Sequence, residues 1–411
     1  MSSGIGQTRS PAGDSAGGLR AGRRAVNRLP AGPAGALAGA VHFQQFDPLT
    51  DAARLQACHE IFQASRRADD PAGPEQSGAD FRNWWAYGFE GRDPRQAWLA
   101  TDAGGPAGCY LLELPDRENV TIGTCVLAVP PARRRRGIGT ALLAHSTNQA
   151  RAAGRTTLRG SALVGSAGPA GSAGPEGPAG SAGSAGPEGP AGPEGPAEST
   201  GSAGEAFAQA AGATGGLTDV RRVLHTAGLT PELLAGLRAE AEARAAGYTL
   251  LSWIGPAPDD QVDQVARLYE VLGDAPREEG AAAPRVDADR VRAIEISTTG
   301  PEFGVYSVAA RHDASGTLAA LTQVIIQAQL PGHALQAMTA VDRPHRGRRL
   351  GLLVKVAVHQ WLARAEPGVR SVFTWNAQAN AHMIAINERL GYQVSGRFRS
   401  WELAIGDPPQ A

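Results

Sequence analysis

Two stretches of this chain set a short apolar strand before an arginine- and glycine-rich turn and then a helix: TCVLAVPPARRRRGIGTALL from Thr124 and MTAVDRPHRGRRLGLLV from Met338. A turn that aims consecutive backbone N–H groups at a helix N-terminus, among basic side chains, suits a pyrophosphate. The first turn supplies Arg134, Arg135, Arg136, Gly137, Ile138, Gly139 and Thr140, and the second Arg346, Gly347, Arg348, Arg349, Leu350 and Gly351. Neither is followed by the Gly-Lys-Ser/Thr triplet of an ATP loop, and neither has the Gly-x-Gly-x-x-Gly spacing of a dinucleotide fold. Recurrence of the pattern marks a duplication. A polar set, Asn376, Asn380 and Asn387, follows the second turn. Asn380 and Asn387 stand two turns apart on one predicted helix and so share a face, while Trp375 ends the strand before it.

The first turn resembles the acetyl-CoA signature of the GCN5-related N-acetyltransferases, Gln/Arg-x-x-Gly-x-Gly/Ala, met by Arg134, Gly137 and Gly139. Residues 376–392 resemble the fourth-helix motif of the same family. The resemblance implies an α/β protein of two tandem domains, each a mixed, mostly antiparallel sheet flanked by helices, joined by a helical linker. It implies acetyl-CoA as cofactor and transfer of the acyl group to the amine of a small molecule by direct attack on the thioester. It also implies that the backbone of Leu127, Val129, Thr339 and Val341 pairs with pantetheine, that both turns hold pyrophosphate, that Asn380 adds to the cofactor site, and that Trp375 and Asn376 meet the acceptor. The second turn departs from the signature, because Arg349 stands at its first glycine and a Cβ there disfavours positive φ.

The family's proton donor is a tyrosine four residues before the fourth-helix glycine. That position is Asn387 before Gly391 and Ala208 before Gly212. Asn387 is therefore the catalytic candidate, by orienting the sulfur or a water. Glu113, His345 and His382 are candidate bases for the ammonium proton. The polar set places the chemistry in the second domain and leaves the first better equipped for phosphates. Two other readings stay open: an acyl-CoA sensor without turnover, and a protein-lysine acetyltransferase.

The elements that must position these residues follow from periodicity. Strands are expected at 41–46, 97–101, 109–114, 120–129 and 155–164, and helices at 53–65, around Phe81–Tyr87, and at 139–153. The order repeats from 248 onward, with the helix 350–365 and the strand 369–375 after the second turn. Residues 1–38 read as a disordered tail poor in large apolar side chains. The first domain then spans 39–229, a bridging helix 230–246, the second domain 247–405 and a short tail 406–411. Within the first domain, 165–204 is a run of Gly-X-Y triplets. Its glutamates lack matching basic residues, which favours a flexible insertion over a collagen trimer.

Lys and Arg total 39 against 40 Asp and Glu, so long-range attraction to nucleic acid or an anionic membrane is not expected. The expected partner is a small-molecule amine, and the protein itself a monomer or homodimer. Cys58, Cys109 and Cys125 lack metal or redox spacing and read as reduced core residues of a cytoplasmic protein. No metal site is expected.

Overall fold

The computed structural model describes residues 41–406 apart from 89–92, 166–201, 279 and 299. The expected N-terminal tail and nearly all of the Gly-X-Y run lie outside the described residues. In the first half the order is β1 (His42–Phe46), α1 (Ala52–Asp69), α2 (Gly78–Tyr87), β2 (Arg95–Asp102), β3 (Gly105–Glu113), β4 (Ile122–Ala128), α3 (Ile138–Ala152), β5 (Thr157–Leu163), α4 (Ala203–Ala210) and β6 (Thr214–His225). After α5 (Pro231–Glu242) the order repeats: β7 (Tyr248–Ile254), α6 (Val262–Val271), α7 (Ala288–Thr298), β8 (Phe303–His312), β9 (Leu318–Gln327), β10 (His333–Val341), α8 (Leu350–Ala365), β11 (Ser371–Ala377), α9 (Ala381–Arg389) and β12 (Gln393–Ala404). Side-chain caps start several helices. Asp51, Ser77, Ser202 and Thr230 each accept from the backbone N–H three residues on, and Pro231 fills the first helical position of α5.

Among the described residues the two mixed sheets are joined into one of twelve strands, in the order β1-β2-β3-β4-β5-β12-β6-β11-β10-β9-β8-β7. The join is an exchange. β12, the last strand of the second half, lies antiparallel between β5 and β6, while β6, the last strand of the first half, lies antiparallel against β11. Duplication explains why this works: β5 and β11 are equivalent edges, and either final strand can satisfy either edge. Phe398 of β12 thus pairs with Leu163 on one side and Asp219 on the other.

Alternation along the strands sends residues to opposite faces. Leu111 packs with α1 and α2, whereas Leu112 packs with α3. In the second half Leu321 packs with α6 and α7, and Ala320 with α8. Helices α2 and α7 meet across the halves, where Asn83 Nδ2 donates to the Ser297 carbonyl at 3.1 Å. The three cysteines are free and buried.

Each half contains one parallel strand pair that opens. β4 pairs with β5 only from Ile122 to Thr124, and β10 with β11 only from His333 to Leu335. Beyond those positions the strands splay, exposing ladder groups on β4 and β10 at the level of each basic turn.

Candidate active site

A cavity of about 1720 Å³ runs through the middle of the molecule. It starts at the first turn, where Arg135, Gly137, Gly139 and Thr140 line it, and passes through the first splay between Val126–Val129 and Ser161–Leu163. It then opens into a chamber between the helices α1, α2, α6 and α7, and ends against the second splay at Leu335–Met338, Phe373 and Trp375. Both splays therefore face one space.

The two turns share a backbone. Arg135 and Gly347 have φ of +61° and +78°, and Gly137 and Arg349 have φ of +80° and +57°. Arg349 does adopt the left-handed conformation expected to need glycine, at a cost on the order of 1 kcal/mol. Arg134 Nε donates to the Val129 carbonyl at 3.1 Å, and Arg346 Nε to the Val341 carbonyl at 3.2 Å. The leading arginine of each turn thus clamps the end of its own strand. Arg134 is further fixed by both oxygens of Asp69, at 2.6 and 2.7 Å, and by Ser65 Oγ at 3.1 Å. Its guanidinium holds the loop.

What surrounds the turns differs. In the first, Arg135, Arg136, Gly137 and Thr140 are exposed, Ile138 is buried under the helix start, and Gly139 approaches α4 so closely that a Cβ would meet the Phe207 ring at 3.2 Å. In the second, carboxylates already occupy the basic surface. Asp274 binds Arg343 and, at 2.5 Å, Arg346, and these arginines hold its carboxyl well below the usual range. Glu240 of α5 binds Arg349 and Arg389. Arg348 lies 5.9 Å from the Tyr248 ring. Leu350 and Gly351 are buried, the latter with Ile386 where the first half has Phe207. None of the described residues 346–351 lines the cavity.

The splays differ too. Leu127 and Val129 line the cavity, and the β5-facing edge of β4 has no ladder partner past Thr124. At the second splay the Met338 carbonyl accepts from Gln336 Nε2, Thr322 Oγ1 and Thr339 Oγ1 at 3.2, 3.0 and 2.9 Å. Thr374 Oγ1 reaches across to the Gln336 carbonyl at 3.3 Å, and Gln336 Oε1 is buried without a partner. Thr339 is thus engaged through its side chain, and Val341 through the carbonyl that Arg346 holds.

Several expected site residues sit elsewhere than the sequence suggests. Asn387 is fully buried and does not reach the chamber, because its side chain is taken up by neighbours. Its Oδ1 accepts from Lys355 Nζ at 2.5 Å, and its Nδ2 donates to Asn376 Oδ1 at 2.7 Å. Asn380 caps α9, accepting from Met383 N at 3.2 Å. Glu113 pairs with Arg95 at 3.1 Å, His345 lies 2.7 Å from the Tyr248 hydroxyl, and His382 is exposed; none of these three lines the cavity. Trp375 does line it, half-exposed.

Sequence reasoning missed polar groups that both halves bring to the chamber. Tyr269 of α6 donates to Gln323 Oε1 at 2.7 Å, and Gln323 Nε2 to Ser307 Oγ at 3.1 Å. Asp219 of β6 lines the floor beside β11, with its carboxyl raised by burial and then by Glu278. It also missed Lys355, although a signal was present, since this is the chain's one lysine among 38 arginines.

Comparison with known proteins agrees with this geometry. Residues 55–160 match the acetyltransferase (GNAT) family model. The chain is 29% identical to a tandem GNAT protein from the clavulanic acid biosynthesis pathway, solved without acetyl-CoA. That likeness covers 90% of this chain and 100% of the other, with a TM-score of 0.68. A GCN5-related N-acetyltransferase from Sphaerobacter thermophilus shares the fold at 17% identity and a TM-score of 0.57, over 90% of this chain and 98% of its own. No curated protein matches the sequence. The duplicated turns, the paired splays and these likenesses together make the chain a tandem member of the GNAT family and an N-acetyltransferase.

Proposed function

We propose that the protein transfers the acetyl group of acetyl-CoA to the amine of a small molecule. In this reading the first half holds the coenzyme firmly and the second half carries the exchange and the chemistry. The observation that carries it is one chamber reached by two splays whose basic turns are unequally free. The residues of the first half fit the coenzyme: an exposed turn with two left-handed residues at a helix N-terminus, a glycine whose Cβ would collide with Phe207, and an unpaired strand edge. Bound there or at the second splay, the coenzyme supplies an activated acyl carbon and a thiolate leaving group.

At the second turn, phosphates must displace Asp274 and Glu240 from the arginines, so binding there is weaker and reversible. A site that turns over has to release its product, which favours this assignment. The acceptor enters between α1, α2, α6 and α7, where the chamber has room for a small molecule beside the coenzyme arm. Trp375 and Phe398 give it apolar walls near Asp219. Asp219 takes the ammonium proton, because burial and Glu278 make it a stronger base than an ordinary carboxylate.

Calorimetry with acetyl-CoA tests the cofactor assignment: one tight site is expected, lost on Gly139→Phe, with a second weak site that survives. Thiol release with glucosamine, spermidine, free lysine and a lysine peptide tests the transfer. Turnover with a free amine is expected, falling at least tenfold in Asp219→Asn. Turnover with the peptide alone would overturn the small-molecule reading, and coenzyme binding without thiol release from any of the four would overturn the transfer itself.

A further inference from the structure

A chain that uses arginine at 38 of its 39 basic positions keeps a single lysine, and that lysine is among its most buried side chains. Of the three buried arginines among the described residues, Arg221 pairs with Asp70 and Arg290 with Glu118, whereas Arg222 makes no ion pair and leaves Nη1 buried without a partner. Lys355 likewise has no carboxylate. Its Nζ donates to the neutral Asn387 Oδ1 at 2.5 Å and lies 5.1 Å from the Tyr392 ring, and among the described residues no carboxylate pairs with it. The equivalent of Lys355, four residues after the second turn glycine, is Leu143 in the first half, and that of Asn387 is Ala208. The fold therefore does not need a charge here. Arginine stays charged at all working pH values, whereas a buried lysine can lose its proton, so the exception falls where ionisation is of use.

The amides arranged around it have a direction. Lys355 Nζ donates to Asn387, and Asn387 Nδ2 donates to Asn376 Oδ1 at 2.7 Å. Asn376 stands on β11 past its last pairing with β10; Trp375 before it lines the chamber, while Asn376, on the opposite face of the strand, borders the splay. The chain of donors runs from the buried ammonium to the splayed strand, and each bond polarises the next.

We propose that Lys355 is a positioning residue for acyl transfer at the second splay: its positive charge, relayed through Asn387 and Asn376, supports the negative charge that collects on the departing sulfur. This rests on the reading that an acyl thioester lies along that splay. In the step, the amine nitrogen bonds to the carbonyl carbon and the C–S bond breaks with its electron pair going to sulfur. Asp219 takes the proton that turns the ammonium into the attacking amine, and the N–H proton released as the amide forms ends on the departed sulfur, which leaves as the thiol. Other groups around Lys355 do not supply the charge. His359, on the same helix, is held neutral by burial, which pushes it down to about 3. Burial keeps the Tyr392 phenol protonated. Glu388 of α9 is exposed and acts on Arg222, and Glu240 of α5 is bound to Arg349 and Arg389. Burial also lowers Lys355 itself to about 7, which puts its titration in the working range.

A single lysine makes the test direct, because labelled lysine gives one side-chain resonance. In the full-length protein that resonance is expected to titrate near neutrality and to shift on adding acetyl-CoA to a Gly139→Phe variant, where only the second splay is left to bind. A midpoint above pH 9, or no response to acetyl-CoA, would overturn the proposal whatever the activity. Lys355→Met, which copies the apolar solution of the first half, should keep the fold by circular dichroism. It should lower kcat at least tenfold with little change in KM, and remove the fall in rate above neutral pH. Unchanged kcat and an unchanged profile in that variant would sink the role of Lys355 while leaving acetyl transfer intact, whereas absence of thiol release in the wild type points instead to failure of the transfer reading.

Discussion

Arg134 shows how the leading residue of a signature can be spent on holding the loop that carries it: its guanidinium is taken up by Asp69, Ser65 and the Val129 carbonyl. Arg134→Ala should therefore cost stability, about 1–3 kcal/mol for a part-buried charged partner left unmatched, measured by denaturant unfolding. Loss of acetyl-CoA affinity should follow from a loosened loop. Lys355 makes the opposite case, and its pH dependence has a definite sign. Its folded pKa is depressed to about 7, against about 10.4 in an unfolded chain. Between these values the unfolded chain binds the extra proton, so wild-type stability rises with pH across that window. Lys355→Met should be the more stable protein at pH 7, by about 1–4 kcal/mol, and the gap in melting temperature should close toward pH 10. Motifs are legible because they recur in the sequence. The partners of Arg134 and Asn387 are not, because Asp69 lies 65 residues from the one and Lys355 32 residues from the other.

Among the elements, those with a strong period were readable and their ends were not. The helix 350–365 and the strand 248–254 fall where the apolar pattern puts them, and the basic turns sit between strand and helix as expected. The first half of β6, Thr214–Asp219, has little hydrophobic signal and is held by pairing with β12. The bridging helix α5 was visible from its Thr-Pro start and alanine-rich body, but not its contribution of Glu240 to the second turn. That contribution can be tested by itself. Glu240→Gln removes the carboxylate that competes with phosphate for Arg349 and Arg389, and should tighten the weaker acetyl-CoA site about three- to tenfold in low salt. Calorimetry on a Gly139→Phe background reads the second site alone, and unchanged affinity there would mean that α5 does not gate it.

Across the whole molecule, composition and repetition gave two halves of one family, and what they could not give was the exchange of final strands. Both arrangements satisfy the same local patterns, since β5 and β11 are equivalent edges, and only the long-range register decides between them. Cutting the chain between β6 and α5 should accordingly yield two fragments that are insoluble or molten when made singly. Co-expressed, they should give a soluble complex with cooperative unfolding. A first fragment that folds alone, with sharp amide dispersion, would contradict the interleaved sheet. Synthesis runs from the N-terminus, so β5 leaves the ribosome with an open edge, and β6 finds neither neighbour until the second half has been made. Bare strand edges of this kind are templates for pairing with other chains. Gln393–Ala404, made after the other strands of the sheet, is also what closes it between the halves. A chain cut short before Gln393 would carry every other strand and a gap at the centre of its sheet, so the union of the halves is checked by the strand made after all the rest.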